Sequence, residues 1–141
     1  MSGPVPHQAS CVAIGGRAVL IEGPSGSGKS TLTLALLDRG AALVGDDGVL
    51  LDAQASRLMA SPHPRIAGLV EVRNLGLLRL AEPLTAPVAL VLVLDADAPR
   101  FIETAETCDR GGVTLPLIRL DPGSGALRAE LALAHYGLPL A

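Results

Sequence analysis

Residues 23–30 read GPSGSGKS, a glycine followed after four residues by Gly-Lys-Ser. This is the Walker A spacing. Glycines let the backbone curl until successive N–H groups face one anion. A helix starting at the lysine adds its positive N-terminal end. Lys29 has the reach for the β- and γ-phosphates of a nucleotide, and the Ser30 hydroxyl suits Mg2+. The nucleotide-binding set read from the motif is Gly23, Pro24, Ser25, Gly26, Ser27, Gly28, Lys29, Ser30 and Thr31. The same composition also makes ordinary glycine turns, so context decides: an apolar run at 17–22 precedes the motif and an amphipathic run follows it.

Phosphoryl transfer needs Mg2+ and a group that orients or deprotonates the acceptor. Two acidic features compete for that work. Asp95 closes VALVLVLD, which resembles an ordinary Walker B strand. Asp46 and Asp47 are adjacent in GDDG, one short strand after the Walker A helix. Two neighbouring carboxylates aimed differently could divide into base and metal ligand, although DDG is equally the composition of a solvated hairpin turn. The residues alone leave that choice open. A third feature is EVRNLG at 71–76. Strand alternation would put Glu71 and Arg73 on one face, able to hold metal and phosphate together, or simply a surface ion pair of little weight. His7 stands alone near the N-terminus.

The elements that must position these groups are short. ASCVAI and RAVLIE, split by Gly15-Gly16, predict a β-hairpin. KSTLTLALLDRG puts Leu32, Leu36 and Leu37 on one helical face and stops at Gly40. AALVGDDGVLLD predicts strand, turn and strand; SRLMASPHPRIAGL predicts a strand or loop broken by Pro62 and Pro64. PVALVLVLDAD has the continuous apolar character of a strand buried on both faces. The polar segment 95–112 is expected as surface helix or loop, VTLPLIRLDP as a last strand and GSGALRAELALAHYG as a last helix. Strands dominate, without the regular alternation of a doubly wound sheet.

Composition narrows the partners. The 141 residues suit one domain, spanning 1–141, and 49% hydrophobic content suits a real core. Aromatics are 1%, so an adenine ring would lie on aliphatic side chains and backbone. A net charge of −3 with no basic block disfavours nucleic acid. The longest apolar run, 88–94, is too short for a bilayer, so no membrane is expected. Cys11 and Cys108 lack metal spacing and fit reduced thiols in a cytoplasmic protein. The N-terminus lacks the build of a signal peptide.

Taken together, His7, GPSGSGKS, LVGDDGVLL and LVEVRNLGLLRL resemble, in order and spacing, the catalytic domain of the HPr kinase/phosphorylase family. The last segment is similar to the family's Glu-Ile-Arg-Gly-Leu-Gly strand, and TLPLIRLDP with the final helix to its C-terminal strand and helix. The resemblance implies an α/β P-loop domain like that of phosphoenolpyruvate carboxykinase, with a mixed β-sheet and a helix after the Walker A loop. It implies a Mg2+-dependent kinase that uses ATP as substrate to phosphorylate a serine of HPr, the small phosphocarrier of the sugar phosphotransferase system. It also implies removal of that phosphate by inorganic phosphate, releasing pyrophosphate. Catalytic roles then fall on Asp46 as base, on Lys29, on His7 near the transferred phosphate, and on a later arginine, Arg100 first and Arg110 second. Ser30, Asp47 and Glu71 become metal ligands, Arg73 a phosphate ligand, and Asp95 an ordinary strand-end residue.

Asn74 stands where the family has glycine, a position suggesting close approach or positive φ. The chain resembles the short alphaproteobacterial form, in which the catalytic domain stands alone. The loop AEPLTAP and the C-terminal tail are short beside family members that assemble as hexamers. Two other functions fit the motifs: a P-loop small-molecule kinase or carboxykinase-like enzyme, and a non-catalytic nucleotide sensor.

Overall fold

The proline-flanked stretch around His7 has no strand periodicity, yet Val5–His7 forms an edge strand, β1. It belongs to a computed structural model that describes residues 3–140. Strands β2 (Ser10–Ile14) and β3 (Arg17–Glu22) make the expected hairpin, with Gly15 and Gly16 at φ 58° and 85° in the two-residue turn. The glycine-rich loop follows, then helix α1 (Lys29–Asp38). Gly40, at φ 104°, lets the chain leave the helix while its N–H bonds Leu37 O.

Strand β4 (Ala42–Gly45) leads through the Asp46-Asp47-Gly48 turn into β5 (Val49–Gln54). This is not a hairpin. β4 pairs with β2, whereas β5 pairs with β1 and with β6 (Arg57–Pro62), so the turn carries the chain between the two halves of one curled nine-stranded sheet, a central sheet and a second sheet folded over it. After a single 3-10 turn at Pro64–Ile66, β7 (Leu69–Val72) and β8 (Gly76–Arg79) form a separate two-stranded hairpin. The EVRNLG segment therefore bends rather than running straight. Val72 is the last strand residue and Arg73 lies in the turn, so Arg73 does not share a strand face with Glu71 as alternation suggested.

The long strand β9 (Ala86–Leu94) is the trunk of the molecule. Its first two residues ladder with β6; from Val88 it runs parallel to β3, and from Val91 parallel to β11 (Val113–Leu120). The segment 95–112 holds a strand that polarity disguised. Glu106–Arg110 is β10, paired antiparallel along the edge of β11 with Glu106 and Asp109 in solvent, as edge strands favour. Helix α2 (Ala126–Tyr136) closes the fold.

Alternating side chains of the central strands feed two cores. Val12, Val19 and Ile21 pack with Leu32 and Leu36 of α1 and Ala129 and Leu133 of α2. Cys11, Ala18 and Leu20 pack with Val49, Leu51 and Leu58 of the second sheet. Helices, central sheet and second sheet thus form three layers, with β2, β3 and β9 buried on both faces. No helix among the described residues is long and apolar enough to cross a membrane.

Asn74 occupies the left-handed region at φ 74°, the conformation that its place in the motif suggested. Asn74→Ala is expected to lose about 1 kcal/mol of stability in chemical denaturation, and Asn74→Gly to change it by less than about 0.5 kcal/mol.

Candidate functional site

Three chain segments converge on Asp46. Its carboxylate is only 5% exposed and collects donors from all sides. The buried Ser10 hydroxyl donates to Oδ1 at 3.0 Å. The Ser30 hydroxyl lies 3.0 Å from Oδ1 and 3.2 Å from Oδ2. The Glu71 N–H points at Oδ2 across a longer 3.4 Å. A buried carboxylate needs such partners. The turn that delivers it is tight. A Cβ on Gly45 would lie 2.6 Å from Gly48 O, and Asp47 sits at φ 65°. Asp46 therefore turns inward, while its neighbour Asp47 is exposed. The solvated-turn alternative fails for the first aspartate and describes the second.

The glycine-rich loop bears on the same point. Gly23 must be glycine, because a Cβ there would meet Ser27 Oγ at 2.8 Å and Leu94 O at 3.1 Å. Ser27 Oγ is buried with no hydrogen-bond partner among the described residues. Gly28, φ 100°, precedes the first residue of helix α1, which has no side-chain cap and no acid in its first turn. The Lys29 ammonium folds back onto main-chain carbonyls, at 2.7 Å from Gly23 O and 3.1 Å from Pro24 O. An orphaned hydroxyl, an uncapped helix start and a cation held by carbonyls rather than a carboxylate fit a polyanionic ligand.

The donors beside the loop fit a hard divalent cation. Ser30, Asp46, Asp47 and Glu71 offer hydroxyl and carboxylate oxygens only. Among the described residues no three acidic, His or Cys side chains already form a cage. That donor set suits Mg2+, which keeps several waters and takes ligands from substrate phosphates.

A second cluster borders the loop. Glu22, the last residue of β3, directly precedes Gly23. Its carboxylate lies 2.8 Å from His7 Nε2 and accepts from Arg110 Nε at 3.0 Å and Nη2 at 2.6 Å. Burial works to raise the Glu22 carboxyl, but hydrogen bonds and positive charge from His7 and Arg110 outweigh it and hold the group at about 2. Arg110 Nη1 is also engaged, on Asp109 O.

The remaining candidates are spread around this centre. Asp95, at the end of β9, is paired with Arg119 at 3.2 Å, and Arg119 also binds Glu106. Arg73, Glu71 and Arg100 have exposed side chains. Phe101, the only phenylalanine, is 79% exposed on the loop that leaves β9. Sequence patterns passed over Ser10 and Glu22. The available signal for Glu22 was a charged residue touching the first glycine of the motif; Ser10 carried none.

Residues 3–84 match the family model described as the HPr Serine kinase C-terminal domain, and the chain belongs to that family. An HPr kinase/phosphorylase of Chlorobium phaeobacteroides is 31% identical over 132 residues, covering 84% of this chain and 39% of the relative. One from Bordetella pertussis is 48% identical over 64 residues, 45% of this chain and 21% of the relative. The chain thus spans well under half the length of these curated relatives. The solved HPr(Ser) kinase/phosphatase of Coxiella burnetii shares the fold, with a TM-score of 0.77 at 24% identity, covering 92% of this chain and 94% of the other.

The depressed Glu22 carboxyl sets a pH dependence. A folded value of about 2 against an ordinary 4.5 means its stabilisation is complete above the ordinary value and is lost as pH falls towards 2. Denaturant titrations from pH 6 to pH 2.5 are expected to show this loss in the wild type and a shallower one in Glu22→Gln.

Proposed function

We propose that this chain is the catalytic part of a cytoplasmic, ATP-dependent protein-serine kinase whose acceptor is an HPr-type phosphocarrier protein. The observation that carries this reading is the Ser30–Asp46 hydrogen bond at 3.0 Å. It joins the Walker A helix to the aspartate pair, with the Glu71 N–H on the same carboxylate. The family membership supplies the acceptor.

In this reading the loop from Gly23 to Thr31 is a phosphate loop. Its N–H groups and the start of α1 hold the phosphates of ATP, and Lys29 exchanges its carbonyl partners for phosphate oxygens. Ser30, Asp47 and Glu71 are the residues that would hold Mg2+, which when bound offsets charge on the transferring group. Asp46 accepts the proton of the acceptor serine as its oxygen bonds to the γ-phosphorus, and ADP leaves. In the reverse direction inorganic phosphate attacks the phosphoserine phosphorus. The serine oxygen departs, taking a proton back from Asp46, and pyrophosphate is released. Arg73 and Arg100, whose side chains are exposed, offset phosphate charge in this reading. Arg110 is already committed to Glu22 and Asp109. A homo-oligomer belongs to the same reading.

The test is intact-mass analysis of the HPr encoded in the same genome after incubation with the protein and Mg-ATP, then again after adding phosphate. Serine phosphorylation in the first step and its loss in the second are expected. ATP binding without transfer to any HPr would overturn the reading in favour of a sensor or a small-molecule kinase. Asp46→Asn is expected to keep the ATP Kd within about twofold and to lower transfer about 100-fold or more; an active variant removes Asp46 as the base.

A further inference from the structure

His7, Glu22 and Arg110 come from β1, the end of β3 and the end of β10, and they meet where the glycine loop begins. The three side chains are 28%, 15% and 24% exposed, which leaves them sheltered but reachable. We propose that Glu22 is a positioning residue for phosphoryl transfer, holding His7 with its proton on Nε2 and leaving Nδ1 free to serve the reaction. This rests on the kinase reading above and on the role near the transferred phosphate that the family resemblance implies for His7.

The argument starts from donors and acceptors. A carboxylate accepts and does not donate, so the 2.8 Å contact requires the proton on His7 Nε2. The well-depressed Glu22 carboxyl keeps that acceptor ionised throughout the neutral range. In the neutral ring the lone pair then lies on Nδ1, which makes no hydrogen bond among the described residues, where it accepts a hydrogen bond or a proton. A carboxylate behind the imidazole steadies the positive charge that results.

Arg110 completes the arrangement. Its two-pronged contact puts Nε on the same Oε2 that faces His7 and Nη2 on Oε1, which braces the Glu22 carboxylate in one orientation. The same contact occupies the guanidinium, separating Arg110, which braces, from Arg100 and Arg73, which are exposed. The sequence separations are 15 residues for Glu22–His7 and 88 for Glu22–Arg110, so neither contact follows from local chain geometry.

The experiment combines nitrogen NMR of the His7 ring with transfer kinetics. In the wild type at alkaline pH, the Nε2-protonated tautomer is expected. Glu22→Gln should abolish that preference, because an amide can turn either its carbonyl or its NH2 towards the ring. The kcat for transfer should fall about 10-fold or more, with the KM for ATP within about twofold. His7→Asn should reproduce the fall, and the double variant should add little to either single one. Should Glu22→Gln unfold, as its melting curve would reveal, the wild-type tautomer and the His7→Asn kinetics still decide the matter. An Nδ1-protonated ring in the wild type overturns the proposal. So does a folded Glu22→Gln with an unchanged tautomer or unchanged kcat, or an additive double variant. A wild type that transfers no phosphate while showing the expected tautomer pattern upholds the hold of Glu22 on His7 and overturns the kinase reading instead.

Discussion

A carboxylate removed from water has to find donors, and Asp46 finds them on β2, on α1 and at β7. Ser10, Ser30 and the Glu71 N–H are each supplied by a different ladder or helix. Breaking any one of these attachments leaves buried polar atoms short of partners, which is costly in a low-dielectric interior. The local backbone serves the same end. The glycine at 45 and the positive φ at 47 exist because the turn must pass from the central sheet to the second sheet while pointing one aspartate in and the next one out.

The layered architecture explains why this carboxylate lies beside the glycine loop. β3, β9 and β11 run parallel, so their carboxyl ends, and the loops that follow, gather on one side of the sheet. The loop after β3 leads to Lys29; the loop after β9 carries Arg100 and Phe101; Leu94 O packs against Gly23. At the opposite end the first two residues of β9 ladder with β6 and tie the second sheet to the central one. Charges that would otherwise repel or wander are paired at the carboxyl ends, Glu22 with Arg110 and Asp95 with Arg119.

Features carried by contiguous residues were legible in the sequence. GPSGSGKS, the aspartate pair, the Gly15-Gly16 hairpin and the run of β9 all depend on neighbours within a few positions, where periodicity and turn chemistry act. Asn74 was legible for the same reason, as a residue tolerating positive φ. The pairing of β4 and β5 with other strands was hidden, because DDG has the same composition in a hairpin as in a crossing between sheets. β10 was hidden because an edge strand carries polar and charged residues where a buried one is apolar. The Glu22 cluster was hidden by distance along the chain. Asp95 is the instructive case. It has the look of a metal-site aspartate in sequence, and in three dimensions its carboxylate meets Arg119, which a linear reading does not bring near it.

The isolation of Phe101 has an optical consequence. The chain contains no tryptophan and a single tyrosine, Tyr136, which is partly buried in α2. Near-ultraviolet emission from the protein is therefore almost dark. An indole installed at position 101, already in solvent on the loop that leaves β9, would shine against almost no background and report on that loop alone.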